Sequence, residues 1–188
     1  MIFEATPILG AYVVKLERHA DDRGFFARTF CVDEFTSAGL VTAEFVQQSL
    51  ARNMRRGILR GMHLQIAPHA EAKYIRCVRG SIFDAIFDVR PDSASYRTSF
   101  AIELNAENGD ALFIPPGCAH GYQALQDGTD VLYAMSSRYA PDAARSVRWD
   151  DPELSIAWPI RSPLLSGSDA SAPLLREFLV ETYGLEQV

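Results

Sequence analysis

The sequence predicts an all-β protein, built as a barrel or sandwich of antiparallel strands with a few short helices. Short apolar segments recur along the middle of the chain, and turns rich in Gly, Pro and Asn separate them. Of the 188 residues, 48% are hydrophobic and 22% are charged, a composition that is typical of a globular protein with a buried core. No repeat or linker divides the chain, so residues 1–188 are predicted to form a single domain.

The first elements are read from turn residues and apolar spacing. A strand is predicted at residues 12–17, and the turn at Asp21–Gly24 leads into an apolar segment at residues 25–30. A short helix is predicted from Asp33 to Leu40, with Gly39 at its end. The next strands are predicted at residues 74–78, 81–89, 100–104, 111–114 and 131–136.

The strand at 81–89 and the end of the chain have distinct patterns. Alternation places Asp84 and Asp88 in the inward row of that strand, where we expect them to accept hydrogen bonds from arginine side chains. After Pro152 the chain is predicted to be irregular. A helix then begins near Pro173, ends before Gly184 and packs on the outside of the barrel.

Charge and cysteine content exclude several classes of protein. The net charge of −6 offers no basic surface for nucleic acid or for anionic lipid. Cys31, Cys77 and Cys118 are far apart and form neither a disulfide framework nor a zinc motif. The chain shows no basic leader and no long apolar span. We therefore expect a cytoplasmic protein that binds neither nucleic acid nor membrane.

Two segments bounded by glycine resemble the paired motifs of the cupin superfamily, which implies a jelly-roll barrel. The second segment, from Gly109 to His120, matches at each fixed position. The first contains His63, but Gln65 and Lys73 stand where the motif has a metal-binding His and Glu. An ammonium group in the ligand shell repels a metal ion, so we expect no metal and an affinity for anions instead.

Several short blocks narrow the resemblance to one family. These blocks are Phe45–Gln47, Gly57–Gln65, Asp88–Pro91, Ile114–Tyr122 and Arg148–Pro152. Their order and separations resemble the dTDP-4-dehydrorhamnose 3,5-epimerase family over nearly the full chain. The resemblance implies an enzyme that inverts carbons beside the ketone of a nucleotide-linked 4-keto-6-deoxyhexose, without a metal or an organic cofactor. It also implies a homodimer.

The resemblance assigns roles to the candidate site residues. His63 matches the base, and Asp169 matches the carboxylate that orients it. Tyr133 matches the acid on the opposite face, and Lys73 matches the cation beside the ketone oxygen. The predicted substrate-binding residues are Arg23, Arg28, Gln47, Arg60, His120 and Tyr139. In the family, the residue matching Arg23 reaches into the neighbouring subunit's site.

The chain departs from the family pattern at positions that face the ligand. The family commonly has Glu at Arg28, Asp-Asn at Gln48 and Ser49, Glu at Ala144 and Lys at Ser168. One residue is also inserted between Leu50 and Arg56. The sequence therefore leaves open which nucleotide and hexose bind, and whether one carbon or two are inverted.

Other functions are compatible with the same residues. They are a 3-epimerase or a ketoisomerase acting on a different nucleotide sugar, a non-catalytic cupin that binds sugar nucleotides, and a metal-dependent dioxygenase. Tyr133 opposite His63 favours epimerisation over ketoisomerisation. Asp169 lies among Ser and Gly residues, so a helix-capping role competes with a catalytic one.

Overall fold

The computed structural model describes residues 1–40 and 45–185, in which two antiparallel sheets enclose a common core. The strands are β1 (Ile2–Ala5), β2 (Tyr12–Lys15), β3 (His19–Asp21), β4 (Gly24–Phe26), β5 (Gln47–Asn53), β6 (Leu59–Gln65), β7 (Lys73–Arg79), β8 (Ser81–Asp88), β9 (Ser99–Asn105), β10 (Ala111–Ile114), β11 (Cys118–Ala124), β12 (Thr129–Met135) and β13 (Ala144–Ser146). The larger sheet has the order β1-β2-β10-β7-β12-β5, the smaller has β13-β6-β11-β8-β9, and β3 and β4 form a separate hairpin.

The core between the sheets follows from strand alternation. Ile75 and Val131 from the larger sheet pack in one cluster with Ile82, Ile86 and Tyr122 from the smaller sheet. Because side chains alternate between faces, every second residue of these strands points into this interior. The polar residues that take the same inward direction are therefore brought to a single cavity.

The tight turn at Arg79–Gly80 joins strands of different sheets. β7 pairs with β10 and β12, whereas β8 pairs with β9 and β11. Gly80 has φ of +76°, and a Cβ atom there would lie 2.4 Å from Thr129 Oγ1. Glycine is required because the backbone takes a left-handed conformation and passes close to its neighbour.

A second close approach fixes β6 against β11. A Cβ atom on Gly61 would lie 2.4 Å from the Cα atom of Gly121, so neither strand has room for a side chain at this point. The pairing register shifts between His120 and Tyr122, next to this contact. His63 and His120 are pairing partners across the two strands. The glycine contact therefore lies beside the residues that line one wall of the cavity.

Short helices complete the fold: α1 (Val32–Ser37), α2 (Gly167–Ala170) and α3 (Leu175–Tyr183). As predicted, α3 packs on the outer face of the smaller sheet, where Phe178 and Leu179 join a cluster with Phe87 and Val89. Gly184 ends the helix in a left-handed conformation with φ of +66°. No helix of the described segments is long and apolar enough to cross a membrane.

Candidate active site

A cavity of about 660 Å³ lies between the two sheets and brings most of the predicted site residues together. The predicted residues that line it are Gln47, Arg60, His63, Lys73, His120, Tyr133, Tyr139 and Asp169. His63 and His120 come from the smaller sheet, on β6 and β11, whereas Lys73 and Tyr133 come from the larger sheet, on β7 and β12. The cavity therefore has one imidazole wall and one wall that carries an ammonium and a phenol.

His63 is paired with Asp169. His63 Nε2 lies 2.6 Å from Asp169 Oδ1, and Ser166 Oγ donates to Asp169 Oδ2 at 2.8 Å. Burial opposes ionisation of Asp169, but the hydrogen bonds and charge of His63, the Ser166 hydroxyl and the charge of Arg60 lower its pKa overall. An ionised Asp169 fixes the orientation of the imidazole.

The position of Asp169 follows from the start of α2. Ser166 is the N-cap of this helix, and its hydroxyl accepts a hydrogen bond from the Asp169 N–H at 3.1 Å. The capping group is thus Ser166. The Asp169 side chain is 5% exposed and turns toward the cavity, where it contacts His63.

Tyr133 faces the imidazole wall from the larger sheet. Its ring centroid lies 6.2 Å from that of His120 and 6.3 Å from that of Tyr122. Burial, with the neighbouring Tyr122 phenol and the Asp84 carboxylate, raises the pKa of Tyr133 well above its ordinary value. Tyr133 is therefore a protonated phenol at neutral pH and is able to donate a proton.

Lys73 is a buried cation on the wall of the cavity that the larger sheet forms. Its Nζ donates to the His63 carbonyl oxygen at 3.1 Å and lies 3.2 Å from Glu71 Oε1. Lys73 is only 8% exposed, and burial lowers its pKa despite the attraction of Glu71. A partly desolvated ammonium in a cavity interacts strongly with any negative charge that forms there.

Gln65 stands at the position of a cupin metal ligand, but its amide group is fully engaged in hydrogen bonds. Its Nε2 donates to the His69 carbonyl at 3.0 Å and to the Arg138 carbonyl at 3.2 Å, and its Oε1 accepts from the Ala140 N–H at 2.6 Å. In residues 1–40 and 45–185, no group of three His, Cys, Asp or Glu side chains is placed to hold a metal ion. With Lys73 in the same cavity, the residues present do not fit a metal centre.

Arg60 is positioned by a buried amide. Asn53 Oδ1 accepts hydrogen bonds from Arg60 Nε and from the Tyr122 hydroxyl, both at 3.1 Å. Asn53 Nδ2 donates to the Thr129 carbonyl at 3.2 Å, so the amide has no freedom to turn. Arg60 thus uses Nε within the protein and offers its other nitrogens to a ligand.

His120 has a carboxylate partner that the sequence analysis assigned differently. Its Nε2 lies 2.7 Å from Asp84 Oδ1, and both residues are buried. The expectation that Asp84 bonds an arginine side chain is therefore wrong, because His120 on the neighbouring strand β11 lies nearer. The same expectation is confirmed for Asp88, which accepts from Arg90 Nε at 2.8 Å.

Two predicted substrate-binding residues lie outside the cavity of this single chain. Arg23 lies on the β3–β4 hairpin with its side chain 89% exposed, and it contacts Asp21 at 2.5 Å. Arg28 contacts Glu34 at 2.6 Å. At the mouth of the cavity, by contrast, the Tyr139 N–H donates to Gln47 Oε1 at 3.2 Å, so these two predicted residues lie together.

Ser49 and Ser168, which the sequence analysis placed among the ligand-facing positions, line the cavity. The residues that it missed as lining groups are Ala51, Glu71, Met135 and Ser166. Glu71 had a usable signal, because a carboxylate two residues before a buried lysine is a natural ion-pair partner. Ser166 gave no signal, since Ser residues at helix caps are common in any fold.

Comparison with known proteins agrees with this geometry. The family model described as dTDP-4-dehydrorhamnose 3,5-epimerase matches residues 5–177. A dTDP-4-dehydrorhamnose 3,5-epimerase of Sinorhizobium fredii is 33% identical, covering 96% of this chain and 92% of the relative. A dTDP-4-dehydrorhamnose 3-epimerase of Streptomyces niveus is 36% identical, covering 90% of this chain and 82% of the relative.

A solved structure is similar over the whole fold. The dTDP-4-dehydrorhamnose 3,5-epimerase of Bacillus anthracis, solved with TDP and PPi bound, superposes with a TM-score of 0.89 at 36% identity. The match covers 93% of this chain and 99% of that one. The predicted jelly-roll class and the resemblance to sugar-nucleotide epimerases are both confirmed. The chain is an isomerase, and it belongs to the dTDP-4-dehydrorhamnose 3,5-epimerase family.

Proposed function

We propose that this chain epimerises a dTDP-linked 4-keto-6-deoxyhexose, with His63 as the base and Tyr133 as the acid. The observation that carries the proposal is their placement on opposite sheets across one cavity, His63 on β6 and Tyr133 on β12. Inversion requires that a proton leave one face of a carbon and return to the other. Groups on opposite walls meet this requirement, whereas two groups on one wall do not.

His63 removes the first proton. A hydrogen on a carbon beside a ketone is acidic because the electron pair moves onto the ketone oxygen and forms an enolate. Asp169, at 2.6 Å from His63 Nε2, stabilises the imidazolium that results. The ionised state of Asp169 is maintained because its pKa lies below the ordinary value.

Lys73 stabilises the enolate oxygen. Its ammonium lines the cavity, and burial makes its interaction with a new negative charge stronger than it would be in water. The arrangement resembles an oxyanion hole, with a cation in place of amide donors. No step needs a metal ion, and we propose that the enzyme works without a metal or an organic cofactor.

Tyr133 completes the inversion by donating a proton to the opposite face of the carbon. Its raised pKa keeps the phenol protonated until the enolate accepts the proton. The carbon then carries a new hydrogen on the face opposite His63. Before the next turnover, the His63 imidazolium releases its extra proton to solvent. The Tyr133 phenolate takes up a proton from solvent.

The substrate's nucleotide end fits the outer part of the cavity. Arg60 binds the diphosphate, since its guanidinium group is oriented by Asn53 at 3.1 Å and has further donors available. Gln47 and Tyr139 lie together at the mouth, where they contact the nucleoside, and His120 contacts the sugar. The TDP found in the Bacillus anthracis relative supports thymidine as the nucleoside.

We further propose that residues 1–188 form one domain that acts as a homodimer, in the cytoplasm. Arg23 is exposed and does not line its own cavity, and the nearby Phe25 and Phe26 are 53% and 77% exposed. A partner subunit that covers this hairpin would bury the two rings and receive Arg23 at its site. Light scattering that gives the mass of one chain would contradict the dimer.

Proton NMR in heavy water tests the proposed reaction. Purified protein is mixed with dTDP-4-keto-6-deoxyglucose, and signals from the hydrogens beside the ketone are followed with time. We expect these hydrogens to be replaced by deuterium and epimerised product to accumulate. Exchange at one carbon only would indicate a 3-epimerase, the activity named for the Streptomyces niveus relative. An unchanged spectrum would support a protein that binds the sugar nucleotide without catalysis. A product whose carbonyl has moved to a neighbouring carbon would support a ketoisomerase.

A further inference from the structure

A second groove, of about 340 Å³, meets the active-site cavity at Arg60, Ser166 and Asp169. We call it the Arg55 groove. Its other lining residues are Met54, Arg55, Ile58, Leu59, Leu164 and Leu165. One wall thus comes from β6 and the turn before it, and Met54 and Arg55 of this turn lie within the stretch that carries the extra residue relative to the family pattern. The other comes from the segment that precedes α2.

The charges in this groove are not balanced. Arg55 and Arg60 both line it, and in the described parts of the chain neither guanidinium group has a carboxylate within salt-bridge distance. Arg52, in contrast, is paired with Asp130 at 2.6 Å. The groove's carboxylate, Asp169, is already engaged by His63 and Ser166. Two guanidinium groups that form no salt bridge are well suited to bind phosphate oxygens.

Arg55 is presented by an anchored turn. The Ile58 N–H donates to the Arg55 carbonyl at 3.4 Å, and the next residue, Arg56, donates its N–H to Asp127 Oδ1 at 2.6 Å. The Gly57 N–H donates to the Ala124 carbonyl at 2.8 Å. The backbone of Arg55 is therefore held in place where it lines the groove, so less ordering is needed when a ligand binds.

From these observations we propose that Arg55 is a substrate-binding residue of this chain and contacts, together with Arg60, the diphosphate of the sugar nucleotide. The proposal rests on the proposed function, which places the diphosphate at Arg60. It also accounts for a departure from the family pattern. Ser168 stands where the family commonly has Lys, and its hydroxyl lies 2.9 Å from that of Ser166, at the same junction. Arg55 supplies from the opposite wall the positive charge that position 168 lacks.

The test compares Arg55→Gln with Arg56→Gln. The two variants lose the same charge at adjacent positions, but Arg56 does not line the groove. We expect Arg55→Gln to raise the KM for the nucleotide sugar by about ten-fold with kcat changed less than about two-fold, because a charged hydrogen bond is lost in both ground and transition states. Its Kd for TDP, measured by calorimetry, should rise by a similar factor, whereas Arg56→Gln should match wild type.

Equal KM and Kd values in the two variants would overturn the proposal, as would a loss confined to kcat. Binding of TDP is measured separately from turnover. If wild-type protein binds TDP but does not epimerise the sugar, the proposed function fails. The difference between the variants in TDP affinity would still decide the role of Arg55.

Discussion

His63 and Asp169 are separated by 106 positions in the sequence, yet His63 Nε2 lies 2.6 Å from Asp169 Oδ1. His63 lies in the smaller sheet, and Asp169 lies in the first turn of α2. The other carboxylate oxygen of Asp169, Oδ2, accepts a hydrogen bond from Ser166 Oγ at 2.8 Å. A base whose partner is fixed by a separate element keeps its orientation while the substrate moves.

Replacing Asp169 by Asn should slow catalysis without removing the base. The amide retains the shape of the side chain but cannot stabilise the imidazolium, so we expect kcat to fall by about 100-fold or more. Initial rates at saturating substrate provide the measurement. Asp92→Asn is the matched control, because Asp92 is exposed and lies outside the cavity. Equal rates for the two variants would remove Asp169 from the mechanism.

Replacing Tyr133 by Phe should separate exchange from inversion. The base on the other wall remains, so the substrate should still exchange hydrogen for deuterium. Without the phenol, the proton returns mainly to the face it left, and the yield of epimer should fall by about 100-fold. Proton NMR reports both quantities in one experiment. Tyr12→Phe, on a strand away from the cavity, serves as control, and normal inversion in Tyr133→Phe would exclude the acid role.

Lys73 should determine how activity falls in alkaline solution. Its pKa is lowered by burial, whereas the pKa of Tyr133 is raised well above its ordinary value, so Lys73 loses its proton first as pH rises. The rate should therefore decline through the lowered pKa of Lys73. In Lys73→Met, kcat should be about 100-fold to 1,000-fold lower, and this decline should be absent. A pH profile with the same alkaline decline in both proteins would contradict the assignment.

Asp88 should stabilise the fold at neutral pH. It is fully buried and accepts hydrogen bonds from Arg90 Nε, Ser93 and Ser95. Burial opposes its ionisation, but these bonds lower its pKa overall. Asp88→Asn should reduce the free energy of unfolding by about 2 kcal/mol at pH 7.

The sign of the pH effect at Asp88 follows from that shift. A lowered pKa contributes stability above the unfolded value of about 3.9, and this contribution is lost as pH falls through the folded value. Urea unfolding of both proteins should therefore show a difference that narrows below about pH 4. A difference that widens in acid would contradict this account of Asp88.

Much of the fold was visible in the sequence because apolar alternation and turn residues agree there. The strand predicted at residues 111–114 has the observed bounds, and α3 lies where its helical spacing placed it. Strand β5 gave no such signal. Its inward residues include Gln47 and Ser49, which line the cavity, so the alternation of apolar and polar residues is lost. The composition of β5 is therefore similar to that of a polar loop.

The site was predicted less completely, for physical reasons. The family resemblance pointed to His63, Lys73 and Tyr133, and each of them lies on a strand that lines the cavity. The His120 contact with Asp84 depends on the register between β11 and β8, which no single-strand pattern contains. The predicted role of Arg23 depends on a second subunit, so a single chain does not test it.

The most direct test of the central claim is solvent deuterium incorporation by His63→Asn compared with His69→Asn. His69 is exposed and lies outside the cavity, so its replacement should leave exchange at the wild-type rate. His63→Asn should exchange at least about 1,000-fold more slowly while retaining its affinity for TDP. Exchange at the wild-type rate in folded His63→Asn would contradict the claim that proton removal by His63 begins the reaction.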